Sequence, residues 1–378
     1  MRRMMSLALL ALLLAACGAQ AGAPTAAPAA PTAAPTDAAP TAAPAAPTAA
    51  PAEAARTLTL MTHDSFSVSE DVLKAFEQQA NVKLQVLNSG DAGQMLNKAV
   101  LSKDSPLADV IFGVDNTLLT RALKAGIFEP YAPAALKDVP ASYQLDPSGS
   151  LIPIDYGYVS VNYDKAYLAQ NQLAAPAGLE DLTKPEWKGK LVVENPATSS
   201  PGLAFLLATV GQFGTDGSYT WLDYWRDLRA NDVLVVDGWS DAYNTQFSGS
   251  SGKGPRPLVV SYASSPPAEV FFSDPQPAEA PTAAMTAGSF LQVEFAGILK
   301  GTNNRDLAER LIDFMLAKQF QEDMPLQMFV YPVVNGSALP EVYTKHSLVP
   351  EQPVVVPPDQ IDQNRDQWLD AWTKLMLR

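Results

Sequence analysis

Apolar and polar residues alternate along Thr57-Leu-Thr-Leu-Met61, which predicts a strand, and the polar run Thr-His-Asp-Ser-Phe after it predicts a strand tip. Val68, Val72, Phe76 and Ala80 then recur at helical spacing behind Ser67 and Ser69, either of which can cap the helix. Val82 to Leu87 alternates again, Asn88-Ser-Gly-Asp91 reads as a loop, and Met95, Leu96, Ala99 and Val100 mark a second amphipathic helix. Ala108-Asp-Val-Ile-Phe112 has the apolar run of a buried strand and leads to a helix over Thr117 to Lys124. Strand and helix alternating in this way predict a parallel sheet covered on both faces.

A second series starts near Leu151. Tyr156 to Tyr163 is strand-like, Leu191-Val-Val193 is a short apolar strand, and Thr198-Ser-Ser-Pro-Gly runs into an apolar helix from Leu203 to Val210. Val233 to Val236, Leu258 to Tyr262 and Phe290 to Phe295 supply further strands. Leu307, Leu311, Phe314 and Met315 stripe one helix, and the last helix carries Trp368, Trp372 and Leu375. No internal repeat is evident. Two such series predict two α/β lobes with a cleft between them, where ligands usually sit.

The start of the chain belongs to neither series. Met1-Arg2-Arg3 is basic, Met4 to Ala16 is apolar but too short to span a bilayer, and Leu14-Ala15-Ala16-Cys17 looks like a bacterial lipobox. Residues 1–17 therefore read as a lipoprotein signal with Cys17 as the lipidated residue, so the membrane is reached through a lipid anchor only. Residues 18–56 are almost wholly Ala, Pro and Thr and cannot bury a core; they are expected to form a disordered tether. Extended at roughly 3 Å per residue, the tether reaches on the order of 100 Å.

Cys17 is the only cysteine of the 378 residues, so the folded part has no disulfide, thiolate metal site or cysteine nucleophile. Forty acidic residues against 26 basic ones give a formal charge of −14, which argues against nucleic-acid binding and tolerates a cationic ligand.

Few motifs carry chemistry. Ser200 suits an N-cap with Pro201 at the first helical position, and such a start is either an ordinary cap or a site for an anion on its free amides. Asp91, Asp115 and Asp155 each lie near a predicted strand tip, where a carboxylate meets a cation, accepts from an amino group, or caps a loop. Trp239 and Tyr243 are one turn apart, and Tyr262 ends a strand before Ala263-Ser264-Ser265-Pro266; the group is a core cluster or the wall of a site. His63 and His346 are too distant in sequence to make a metal triad on their own, so no metal and no cofactor is expected. Gly249-Ser-Ser-Gly-Lys-Gly lacks the phosphate-loop spacing, and neither a dinucleotide fingerprint nor a nucleophile elbow is present.

With these stretches in place, residues 57 to 375 resemble the solute-binding components of thiamine ABC importers, which have the type II periplasmic binding-protein fold. The resemblance rests on Thr62-His-Asp-Ser-Phe66, Ala108-Asp-Val-Ile-Phe-Gly-Val-Asp-Asn116, Asp155-Tyr-Gly-Tyr158 and Thr198-Ser-Ser-Pro-Gly-Leu203. It continues through Gly238-Trp-Ser-Asp-Ala-Tyr243, Ser261-Tyr-Ala-Ser-Ser-Pro266, Gln292-Val-Glu294 and Tyr331-Pro-Val-Val-Asn335. It implies lobe one from 57–155 and 285–345, lobe two from 156–284, crossing hinge strands between them, and a C-terminal segment 346–378 packed on both.

Carried over by position, the family's ligand contacts fall on Asp91, Ala92, Ser199, Ser200, Trp239, Tyr262, Ala263, Ser264, Ser265 and Pro266, with His63 and Phe329 beside them. The resemblance implies a monomeric, exported receptor. It would capture thiamine, thiamine monophosphate or thiamine diphosphate and deliver it to an ABC permease, with Ser199-Ser200 holding any phosphate. Departures from the family stand at Ala92 for Gly, His63 for Tyr, Phe329 for Trp and Ala268 for Tyr, and a Gly/Ser insertion precedes Pro257; less stacking area is implied. Other readings are a polyamine, ferric ion or another cationic heterocycle, though no Tyr-Tyr pair of the ferric type occurs. A thiamine-processing enzyme of this fold works through a cysteine, which is lacking here, so a binding protein and no enzyme is expected.

Overall fold

The computed structural model describes residues 56–250 and 254–378. Cys17, the leader and the tether up to residue 55 lie outside the described residues, as does the middle of the Gly/Ser loop. The first strand, β1 (Arg56–Thr62), takes in Arg56 from the end of the expected tether, and the Arg56 guanidinium pairs with Asp306. After it come α1 (Glu70–Ala80), β2 (Val82–Asn88), α2 (Ala92–Leu101), β3 (Val110–Asp115), α3 (Leu119–Lys124) and β4 (Phe128–Glu129). The next strands are β5 (Ile152–Asp164) and β6 (Leu191–Glu194), followed by α4 (Ser200–Phe213), α5 (Trp221–Ala230), β7 (Leu234–Val236) and β8 (Leu258–Tyr262). The chain then makes α6 (Pro266–Phe271), β9 (Thr282–Ala284), β10 (Phe290–Leu299), α7 (Arg305–Met315), β11 (Tyr331–Pro332) and α8 (Pro358–Met376).

The strands join in one sheet of order β2-β1-β3-β10-β5-β8-β6-β7, with β4, β9 and β11 attached to the two long central strands. The parallel sheet expected of the first series is found in β2-β1-β3, but the sheet as a whole is mixed. β2-β1-β3 and β8-β6-β7 are parallel triplets, but β10 runs antiparallel to β3 and to β5, and β5 antiparallel to β8. Strand direction is not written in hydropathy: buried strands of either sense read as apolar runs. β5 passes unbroken through Asp155 and Tyr156, so both triplets share the same two central strands.

Helices cover both faces. The α1 face of Val72, Phe76 and Ala80 is buried as its spacing predicts, but neither serine caps it through its own side chain. Asp323, from a distant segment, instead accepts from the Ser69 amide at 2.8 Å and from its hydroxyl. α4 is buried along Ser200 to Val210 and anchors one core. There Trp225 meets Phe205 and Trp372 edge to face, at 5.7 and 5.5 Å between ring centres, and donates its indole N–H to Thr209. Trp372 comes from α8, whose Ile361 and Trp368 are buried with it. Among the described residues no helix is long and apolar enough to cross a membrane.

Candidate functional site

A cleft of about 410 Å³ opens where strand tips and helix starts from both ends of the sheet converge. Three structural devices shape it.

The first is a carboxylate shared between helix starts. Asp91 caps α2: its Oδ1 accepts from the Ala92 amide at 2.7 Å and from the Ser200 amide of α4 at 3.1 Å, and its Oδ2 from the Trp239 amide at 3.1 Å. Burial pushes its carboxyl up from the ordinary value, while the Trp239 amide, the Ser199 hydroxyl and the Ser200 amide draw it back. The backbones approach closely: a Cβ on Gly93 would stand 2.6 Å from the Thr198 carbonyl oxygen, so only glycine fits there. The cap of α4 is Ser199, one residue before the position predicted, with Pro201 in the second helical place. The helix start expected to hold a phosphate thus already holds the Asp91 carboxylate. Its amide, and the Ser200 hydroxyl that accepts from Gln292 at 2.9 Å, are engaged within the protein.

The second device is aromatic. Trp239 and Tyr243 stack at 5.0 Å and 13°, and the Tyr262 ring stands 6.5 Å from Trp239. The Trp239 indole donates to Ser261 Oγ at 2.9 Å, which fixes the plane of the ring. Of the run after Tyr262, only Ser265 lines the cleft. Ala263 and Pro266 are buried, the Ser264 hydroxyl donates to the Phe329 carbonyl at 2.6 Å, and Ser265 Oγ bonds Ser261 and the Tyr262 amide. The two serines of this run therefore act as internal braces. Phe329 lines the cleft with a left-handed backbone, φ 56°, an outlier for a bulky side chain. Against its ring, at 5.7 Å, lies Phe272, which is 72% exposed at the cleft mouth.

The third device is acidic. Asp115, Glu294 and Asp155 lie side by side in register on β3, β10 and β5. The β10 register slips on either side of Phe295, directly after Glu294, and such bulges re-aim side chains beside functional sites. Asp115 accepts from Gln292, from Thr117 and from the Leu118 amide; burial pushes its carboxyl up to about 6 against these bonds. No donor reaches either oxygen of the fully buried Asp155, and burial and the neighbouring Glu294 carboxylate raise it well above the ordinary range. Glu194, at the end of β6, is likewise buried with no partner on either oxygen, and burial raises its carboxyl well above the ordinary range. His63 fits against Gly113, where a Cβ would stand 2.2 Å from its ring. The Ser65 amide donates to His63 Nδ1, which leaves the proton on Nε2, 3.6 Å from Glu294 Oε1. Burial opposes a charge on His63, but Glu294, Asp91 and Asp64 outweigh it and lift its pKa.

Of the residues expected at a site, Asp91, Ala92, Ser200, Trp239, Tyr262, Ser265, His63 and Phe329 line this cleft; Ser199, Ala263, Ser264 and Pro266 stand behind it. The sequence reading missed Glu294, Glu269 and Phe272. Glu294 lies within an alternating strand, a signal that places it without saying which way it faces. No lysine or arginine is among the described residues lining the cleft, and no described group of three His, Cys, Asp or Glu is placed to hold a metal ion.

Residues 105–352 match the family model of bacterial extracellular solute-binding proteins. The chain is similar to the thiamine-binding periplasmic protein of Escherichia coli K12, 31% identical over 326 residues covering 85% of this chain and 94% of that one. It is also similar to that of Brucella suis, 30% identical over 326 residues covering 84% and 91%. Among solved structures, a periplasmic thiamin binding protein superposes with a TM-score of 0.74 at 30% identity, covering 86% of this chain and 97% of that one. A ferric binding protein from Campylobacter jejuni, at 18% identity and a TM-score of 0.67, shares the fold.

Proposed function

Because this chain belongs to the bacterial extracellular solute-binding proteins, we propose that it captures thiamine in the cleft and delivers it to an ABC importer. The observation that carries this reading is a cleft walled by stacked aromatic rings and buried carboxylates, with no described lysine or arginine on its lining. Thiamine joins a flat aminopyrimidine to a thiazolium cation. Both rings suit the faces of Trp239 and Tyr262, and a desolvated cation over such a face gains about 2 kcal/mol or more. Asp91 ties α2 to α4 and to the Trp239 turn, so it supports a closed state in which 57–155 with 285–345 and 156–284 act as the two lobes. Ligand acts by favouring that state.

A phosphate at the α4 start has to displace Asp91 from the Ser200 amide. Thiamine is therefore expected to bind at least as tightly as its monophosphate and diphosphate. The role is binding and not chemistry, in keeping with the relatives matched. Location outside the cytoplasm, lipid attachment at Cys17 and a monomeric state complete the proposal. Calorimetric titration with thiamine and its two phosphates tests it. The expected result is a saturable one-to-one heat for thiamine. No heat and no thermal shift with any of the three overturns it.

A further inference from the structure

We propose that Glu294 is a specificity residue of the cleft: its carboxylate accepts a hydrogen bond from an amino group on a flat nitrogen heterocycle. Ligands would then be selected by an N–H donor as well as by stacking. This rests on the cleft being the ligand site. Glu294 lines the cleft yet is only 7% exposed, so water solvates it poorly. Beside the Asp155 carboxyl, which shares a hydrogen bond with it, no side chain or amide of the described residues donates to it, and His63 Nε2 stays 3.6 Å from its Oε1; a carboxylate has lone pairs left over. Its neighbours across the sheet, Asp115 and Asp155, are carboxyls, and Asp155 has one proton at most to share with it.

A buried carboxylate with unfilled lone pairs facing a cavity is costly unless something brought into the cavity donates to it. A fixed cation without N–H satisfies the rings but not this oxygen. A ring carbonyl at the same place sets two acceptors against each other. The bulge beside Phe295 gives Glu294 this aim, and the His63 ring, lying on Gly113, closes the wall behind it. An aminopyrimidine supplies both the planar face and the donor.

The test uses the folded protein, wild type and E294Q, titrated with thiamine and with its 4′-oxo analogue, in which a carbonyl replaces the ring amino group. The wild type is expected to prefer the amino ligand by at least about 100-fold, since a site built to hydrogen-bond an N–H can reject the analogue lacking it by up to about 10⁴–10⁵. E294Q, which keeps the shape and can donate to a carbonyl, is expected to lose at least 10-fold for thiamine and to shrink the preference below 5-fold. Equal wild-type affinity for the two ligands, or an unchanged preference in E294Q, overturns the inference. Should E294Q fail to fold, E294D, which keeps the charge and withdraws it by a methylene, is expected to lose the preference too, and its retention counts against the proposal. Binding of neither ligand by the wild type removes the thiamine reading itself, a result distinct from binding without selectivity.

Discussion

Trp239 shows how one side chain is made ready before any ligand arrives. Its ring is backed by Tyr243 and its N–H is held by Ser261, so little freedom remains to be lost on binding. Trp239→Ala is expected to weaken thiamine binding by more than about 1.5 kcal/mol, measured by titration; an unchanged affinity would make the residue merely structural. The residues alone leave Trp239 and Tyr262 as either core or cleft wall, and only the resemblance sets them at a ligand; both are found on the cleft lining. The serines after Tyr262 are not legible in the sequence, because a hydroxyl looks the same whether it faces a cavity or braces a backbone. The stacking area that Ala268 gives up is partly replaced from Phe272, one helical turn on, which lines the cleft against Phe329. Hydropathy alone makes Phe272 another apolar residue.

At the scale of elements, most strands and helices follow from periodicity, and their ends do not. β10 extends to Leu299, beyond the predicted Phe295, because the slip after Glu294 breaks the alternation without ending the strand. The α4 cap moved by one residue because Ser199 and Ser200 are both good caps, and proline is tolerated at either of the next two places. α8 has no part in the cleft, yet its Trp372 is fully buried against Trp225. Trp372→Ala is expected to lower unfolding free energy by about 3–5 kcal/mol in a denaturant titration while leaving ligand affinity within twofold. A loss of affinity as large as the loss of stability would contradict the separation.

For the whole molecule, two parallel triplets joined by antiparallel strands place carboxyls from β3, β5 and β10 side by side, a juxtaposition no linear reading contains. Asp115, raised to about 6, and Asp155 and Glu194, raised well above their ordinary values, keep protons that the unfolded chain gives up near pH 4. The native state therefore binds more protons, and stability falls as pH rises from about 4 through 6 and beyond. His63, raised by its acidic neighbours, adds stability that is lost above its own raised pKa, in the same direction. At the acid end, Asp223, held at about 2 by Thr220 and Arg226, loses its contribution as pH falls below 4. Thermal melts from pH 2.5 to 8.5 are expected to peak near pH 4, and Glu194→Gln to flatten the alkaline slope; a maximum at pH 8 would contradict these burials.

The stacked ring in the cleft also makes the protein its own optical probe. Of the six tryptophans, Trp187, Trp221, Trp225, Trp368 and Trp372 are buried in the core, and Trp239 alone is partly open to solvent. A collisional quencher such as acrylamide should therefore extinguish essentially one emitter, and a ligand seated over that ring should both change its emission and shield it. Loss of the quenchable fraction on adding thiamine, and its absence from the outset in Trp239→Phe, would report occupancy without any label.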